Sequence, residues 1–391
     1  MSNITLFSQI IQSLNRFSFN KLVSKHQTDK HSKGFNSWSH LISMLFCQFA
    51  KSQSVRDISN GLRSATGNLN HLGLSQSPSK STVSYQNKHR EWELFKDYYF
   101  ELLSSLGKEV GFKQVKFRIK SKIFLLDSST ISLCLSLFDW AKYKTQKGAV
   151  KLHTLLDYDG NLPTYVNITD GKTADNKGAY DIPLLKRSVI VADRFYNDFS
   201  LLKVWDSKGV FFVVRHKENL KFKCIKENEL PKENHQHILI DEMIELTGTG
   251  SKKKYSGKLR RVAVWDEENE QTIEIITNQT SWTANTISEL YKSRWQIEIF
   301  FREIKQLLHI KSFIGTSQNA VMIQIWTALI TILILKYMKA KAKYKWHLSN
   351  LVAFIRLNLF VKIDLNVWLD KPFNDNPDPP PKNGIQGMLY E

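Results

Sequence analysis

Two short runs constrain this 391-residue chain more than anything else in it: Ile123-Phe-Leu-Leu followed by Asp127, and Val189-Ile-Val-Ala followed by Asp193. Neither alternates apolar with polar residues, so each reads as a strand buried on both faces, which requires a sheet covered by helices on both sides. Each run then stops at a carboxylate. An unpaired carboxylate at the edge of a core is costly, so it calls for a cation, a hydrogen-bond network or water. A single strand-end aspartate is an ordinary turn or cap residue; two such strands in one sheet point to a shared site.

Three more apolar runs, Val150 to Leu156, Leu162 to Ile168 and Val210 to Val214, are separated by Asp, Gly and Asn turns and complete a mixed α/β sheet of about five strands. The run at Ile123 and the next two are joined by short connections and should pair as an antiparallel meander; helical stretches flank the later ones. Beyond Arg215, strand patterns at His237 to Ile244, Lys258 to Trp265 and Gln271 to Asn278 read as a β-rich insertion over about 216–284, ahead of one long helix from Thr286 to Leu308. Residues 1–112 read as a helical domain, and Met1 to Phe17 as an amphipathic helix rather than a signal peptide. The proline-bearing stretch from Asp370 onward reads as a disordered or extended tail over 370–391, leaving 113–369 for the sheet.

With 55 Lys and Arg against 37 Asp and Glu, the net charge of +18 favours a polyanionic partner, nucleic acid first; an ordinary basic protein is the alternative. Three scattered cysteines, Cys47, Cys134 and Cys224, form no C-x-x-C pair, which excludes a zinc knuckle and a disulfide framework and fits a reducing cytoplasm. The uncharged stretch Ser317 to Leu335 is interrupted by Gln318, Asn319 and Gln324, so it reads as a buried helix and no membrane partner is expected.

Within the helical region, Ser54 to Leu62 and Pro78 to Arg90 form a pair of short helical patterns, the second opened by a capping serine. The pair reads either as a helix-turn-helix with an extended connector or as a bundle with a solvated basic face. On the first reading Lys80, Ser81, Thr82, Ser84, Gln86, Asn87, Lys88 and Arg90 face DNA.

On the long helix, Tyr291, Arg294, Glu298, Arg302 and Lys305 fall in one narrow arc at about 100° per residue, whereas Glu303 lies about 140° from Glu298. Apolar and aromatic residues, Trp295, Ile297, Phe300, Phe301 and Ile304, flank the arc and suit a half-buried helix presenting charges into a cleft. A solvated face laced with ion pairs is the alternative. Asp127, Asp193 and Glu298, with no histidine or cysteine cluster, favour a hard oxygen-seeking cation, Mg²⁺ or Mn²⁺. Two such ions suit in-line phosphoryl displacement. Asp157, Asp159, Asp170 and Asp175 read as turn or capping residues, with Asp170 and Asp175 near the cations as the alternative.

The spacing Tyr-x2-Arg-x3-Glu-x6-Lys, met by Tyr291, Arg294, Glu298 and Lys305, resembles the YREK signature of insertion-sequence family four DDE transposases. Asp127-Ser-Ser-Thr-Ile and Ala192-Asp193-Arg-Phe-Tyr are similar to that family's first and second acidic motifs. The resemblance implies a ribonuclease-H-like core interrupted by a β insertion, with Asp127, Asp193 and Glu298 holding two Mg²⁺ ions that Mn²⁺ can replace. Tyr291, Arg294 and Lys305 would then contact DNA phosphates. It further implies cut-and-paste transposition of DNA with terminal inverted repeats into target DNA, by a homodimer in the synaptic complex. A metal-dependent nuclease of the same fold and an inactive DNA-binding regulator are the rivals. A hairpin intermediate would need a flipped base, for which Trp265, Trp282 and Trp295 are candidates, though tryptophans ordinarily pack in cores.

Overall fold

In the computed structural model, residues 3–65, 67–111, 119, 121–133, 140, 142–144, 147–218, 220–233, 236–307 and 313–373 are described. Two strands, β1 (Ile123–Leu133) and β5 (Val189–Ala192), run parallel at the centre of one sheet. The other strands are β2 (Lys142–Lys144), β3 (Lys147–Asp157), β4 (Leu162–Asp170), β6 (Phe211–Arg215), β7 (Phe222–Glu227), β8 (Ile238–Leu246), β9 (Leu259–Asp266) and β10 (Gln271–Thr277). β3 lies antiparallel to β1 and β4 antiparallel to β3, while β6 is parallel to β5. The order β4-β3-β1-β5-β6 is thus the expected antiparallel meander followed by two strands that run parallel to β1, and the fold is ribonuclease-H-like.

The segment expected as a β-rich insertion ahead of the helix is β-rich, and its strands extend this sheet. β10 pairs antiparallel with β6, and β9, β8 and β7 follow outward, giving ten strands among the described residues. The five-strand expectation falls short because β6 still has a free edge after β5, and β10 satisfies its backbone groups.

Side chains alternate between two cores. Leu125, Val189, Val191 and Val213 enter one, Leu126, Ile190, Ala192 and Val214 the other. The second is closed by α7 (Phe199–Ser207) and by Tyr255, the residue that follows the short α8 (Thr249–Lys254). The first is covered by α9 (Ala284–Ser293), α10 (Trp295–Leu307) and α11 (Gln318–Lys341), and it continues into the N-terminal helices. These are α1 (Leu6–Gln12), α2 (Arg16–His26), α3 (Ser37–Ala50), α4 (Val55–Ser64), α5 (Lys80–His89) and α6 (Glu93–Val110). α12 (Leu348–Asn358) and α13 (Leu365–Asp370) close the chain against α1, whose Leu6 and Phe7 amides donate to the Val361 and Leu359 carbonyls at 2.9 Å. The 24-residue α11 is long and apolar enough to cross a membrane, but it is buried as the axis of this helical layer.

Three expectations change in detail. The N-terminal helix is two helices, because the Asn15 side chain caps α2 at Ser18 N and ends the first. The helix from Thr286 is broken at Arg294: the Arg294 amide bonds to the Tyr291 carbonyl and the Ile297 amide to the Arg294 carbonyl, a tight three-residue spacing. The tail begins later than Asp370, since Asp370 Oδ1 accepts from the Lys343 amide at 2.8 Å and the Phe373 ring packs on Tyr344 and Phe354. Residues 374–391, Cys134 and the expected 112/113 boundary lie outside the described residues; Cys47 and Cys224 are free thiols.

His40 on α3 is fully buried with Nε2 2.7 Å from Asn87 Oδ1, and burial, with the Arg90 cation adding, pushes its pKa down from 6.5 to about 3 despite that bond. Between those values the unfolded chain binds a proton that the folded chain does not. Its contribution to stability is complete above about pH 6.5 and is lost as the pH falls toward 3, at about 1.4 kcal/mol per pH unit for one proton. Urea midpoints measured from about pH 7 to 5 should fall less steeply for His40→Gln than for wild type; equal slopes would mean that the ring titrates normally in the fold.

Candidate active site

The register Leu126↔Ala192 sets Asp193, the residue after β5 ends, beside Asp127, which stands within β1 rather than at the strand end expected, because pairing with β3 carries β1 on to Leu133. By alternation from Leu125 and Val191, both project from the face that carries α10. Ile297, Phe300 and Ile304 of α10 are buried in the core on that face, which turns Glu298 toward the aspartates. Arg294, at the junction of α9 and α10, joins the acids: its Nη1 lies 2.7 Å from Glu298 Oε1 and 3.8 Å from Asp127 Oδ2. Asp193 is close enough to act electrostatically on Asp127, Arg294 and Tyr291.

Burial pushes the Asp127 carboxyl up to about 6, and the negative charges of Asp193 and Glu298 add to this. The Ser128 amide, 2.7 Å from Asp127 Oδ1, and the Arg294 guanidinium oppose the rise. Among the described residues no three His, Cys, Asp or Glu side chains are grouped closely enough to hold a metal ion as they stand. The donor chemistry nevertheless fits a hard divalent cation: all three acids offer oxygen, and Asp127, its carboxyl raised chiefly by burial with Asp193 and Glu298 adding, is a buried group whose charge such a cation would stabilise.

Two hollows adjoin the acids. A cleft of about 370 Å³ is lined by Asp127, Ser128, Ser129, Glu298, Arg302 and Lys305, among others; Arg302 is exposed and Lys305 Nζ donates to the Thr130 carbonyl at 2.9 Å. A larger cavity of about 630 Å³ has Val264, Ile273 and Ile275 as apolar lining and Tyr291, Trp265, Trp295, Arg215 and Arg294 beside them. Trp265 and Trp295 are 37% and 55% exposed, so the core expected for them is not where they sit; Trp282 does pack, against Phe211.

Arg215 escaped the reading of the sequence. Since Ala192 pairs with Val214, Arg215 stands beside Asp193 in the next parallel strand. The signal was present, for Phe211-Phe-Val-Val is a third apolar run that ends in a charge. Asp170 is a turn residue, accepting from the Thr173 amide and hydroxyl at 3.0 and 2.8 Å, and Asp157 and Asp159 stand at the β3–β4 turn. Asp175 also lies in a turn, and its side chain bonds to Ser128, the residue after Asp127, and to Lys151.

In the N-terminal region, α4 and α5 start from the capping residues Ser54 and Ser79 and share an open hollow with Arg56, Lys80, Ser81 and Ser84. Lys80, Ser81, Ser84 and Lys88 are exposed, and Thr82 and Gln86 partly so. Asn87 and Arg90, expected among the DNA-facing residues, are instead buried and partnered. Asn87 holds His40, and Arg90 donates to the Asn36 and Phe35 carbonyls at 3.0 and 3.1 Å with Asp29 3.5 Å away. α5 is short, so its last turn turns inward to meet α3 and α11.

The fold thus sets two aspartates side by side in its central sheet and a glutamate on the helix that faces them, the arrangement of an acid-lined cleft. The chain belongs to the transposase DDE domain family, whose model matches residues 118–334; residues 2–75 match a domain of unknown function. It is 27% identical over 277 residues to a probable transposase for insertion sequence element IS5377 of Geobacillus stearothermophilus, covering 71% of this chain and 72% of that one. It is 29% identical over 261 residues to a putative transposase, y4zB, of Sinorhizobium fredii, covering 66% and 71%. A solved piggyBac transposase synaptic complex with hairpin DNA aligns at a TM-score of 0.42 and 9% identity, over 93% of this chain and 79% of that one. The DDE transposase family generally uses divalent metal ions, and this chain is a transposase of that family.

Arg90→Ala should lower stability by on the order of 2–3 kcal/mol, because it removes charged hydrogen bonds from a buried site. Lys80→Ala and Lys88→Ala should leave the melting temperature in place and flatten the salt dependence of DNA binding. Calorimetric melting beside binding at two salt concentrations separates the two; a stable Arg90→Ala with weakened DNA binding would return Arg90 to the DNA surface.

Proposed function

We propose that the chain is a cut-and-paste DNA transposase of the insertion-sequence four type, with Asp127, Asp193 and Glu298 holding two Mg²⁺ ions that Mn²⁺ can replace. The observation that carries this reading is the parallel register of β1 and β5, which sets two aspartates side by side beneath a helix that presents Glu298. When bound, such ions polarise the scissile phosphate and offset the charge on the attacking and leaving oxygens. Arg302 and Lys305 line the same cleft as Asp127 and Glu298, and with Tyr291 and Arg294 they would hold phosphates of the transposon end. Their task is to fix the strand in line with the acids, which is where most of the advantage of a phosphoryl-transfer site arises.

The adjoining cavity, with an apolar lining and two exposed tryptophans, suits an extrahelical base of the kind a hairpin intermediate needs. Residues 1–112 would bind DNA through Lys80 and Lys88, 113–369 would carry the chemistry, and two copies would bring the terminal inverted repeats together before strand transfer into target DNA. The work of the protein then lies in the prokaryotic cytoplasm, on chromosomal or plasmid DNA.

Duplexes carrying the inverted repeats that flank the gene should be cut at the element boundary and joined in Mg²⁺ or Mn²⁺. Glu298→Gln should lose at least about a hundredfold in cleavage, since outer partners of metal ligands alone cost ten- to a hundredfold, while still binding the ends. Cutting without joining would make the chain a nuclease; binding with neither, by folded wild type in both metals, would make it a regulator.

A further inference from the structure

Outside the cleft, a dense group of partly and fully buried polar side chains lies on the opposite face of the sheet, behind Asp127. Ser128 is the next residue of the strand, so its side chain points to that face. Its hydroxyl donates to Asp175 Oδ1 in a short hydrogen bond. Asp175 also accepts from Lys151 Nζ at 3.0 Å, and the same ammonium, 14% exposed, donates to the Thr173 carbonyl at 2.9 Å. Lys151 and His153 are both on β3, where His153 is the register partner of Ser128. The segment that carries Asp175 is clamped in place: Asn176 Nδ2 donates to Asp198 Oδ2 at 2.9 Å, and Gly178 approaches the buried His153 ring so closely that a Cβ there would fall 2.8 Å from it.

This clamp acts where β1 is least supported. β5 ends at Ala192, so from Asp127 onward β1 has only β3 as a strand neighbour among the described residues. At that same point Asp127 must hold its carboxylate near two other acids. The Ser128 residue serves both faces, its amide donating to Asp127 Oδ1 at 2.7 Å and its hydroxyl anchored by Asp175.

We propose that Asp175 and Lys151 are positioning residues for Asp127: through Ser128 they fix the peptide that orients this carboxylate for cation binding. The proposal rests on the reading of Asp127 as a cation ligand. Lys151 holds Asp175 in place through their ion pair, and Asp175 in turn sets the Ser128 rotamer. Loss of either leaves the strand end free to let the carboxylate turn away from its neighbours.

The test is calorimetric titration of the full chain with Mn²⁺, without DNA, beside melting temperature and the rate of end cleavage. Ser128→Ala and Asp175→Ala should weaken Mn²⁺ binding by about tenfold or more, the scale for partners of metal ligands, with cleavage recovering at raised Mn²⁺. Ser128→Thr, which keeps the hydroxyl, should bind within about twofold of wild type, and Asp175→Asn should fall between. Wild-type Mn²⁺ affinity in Ser128→Ala and Asp175→Ala would overturn the proposal, as would equal losses in Ser128→Ala and Ser128→Thr. If Asp175→Ala does not fold, the Ser128 pair decides alone. Asp127→Asn is the control: if it binds Mn²⁺ like wild type, the reading of the acids has failed rather than the role of Asp175.

Discussion

The parallel pairing of β1 with β5 is the constraint on which the rest of the molecule depends. A parallel pair cannot be closed by a hairpin, so the chain must leave the sheet and return, and both faces must be covered. Val189, Ile190, Val191 and Ala192 are all fully buried, which commits helices to both sides of these four residues. The cover on one side is α9 and α10, with α11 in the same core, and α11 in turn is buried against α3, α5, α6 and α12. The N-terminal helices are therefore not an appendage: they share one apolar core with the catalytic sheet.

The same pairing creates an electrostatic difficulty and places its remedy nearby. Two aspartates side by side where β5 stops, with a glutamate above them, repel one another, and burial pushes the Asp127 carboxyl up to about 6. Arg294 offsets part of this charge from the helix side, at 2.7 Å from Glu298 and 3.8 Å from Asp127. The break between α9 and α10 falls at this residue, so the guanidinium enters from a junction rather than from a regular turn. On the other face of the sheet, Ser128, Asp175 and Lys151 hold the strand that repulsion would displace. Such a site favours charge neutralisation by a cation over stability of the protein alone.

Much of this was legible because burial on both faces and a terminal charge are visible in consecutive residues. Ile123 to Asp127 and Val189 to Asp193 identified both central strands, and the arc through Arg294 and Glu298 located the helix that faces them. What escaped notice depends on neighbours distant in sequence. Arg215 gains its meaning only from the Ala192↔Val214 register, and for Asp175 the choice between a turn residue and a neighbour of the acids is made only by its contact with Ser128, 47 positions away. Asn87 and Arg90 sit in a polar, basic helix that gives no sign of turning inward, because their partners His40, Phe35 and Asn36 belong to another part of the chain. The edge of β6 looked like the end of the sheet because pairing with β10 crosses more than fifty residues.

The central claim is that Asp127, Asp193 and Glu298 form one cation site. Anomalous diffraction from crystals of the protein grown with a transposon-end duplex and Mn²⁺ tests it most directly. The account predicts anomalous peaks bounded by these three carboxylates, with Arg294 displaced from Glu298 or shared with a DNA phosphate. Peaks elsewhere in the protein, or none at these acids in crystals whose DNA has been cut, would contradict it.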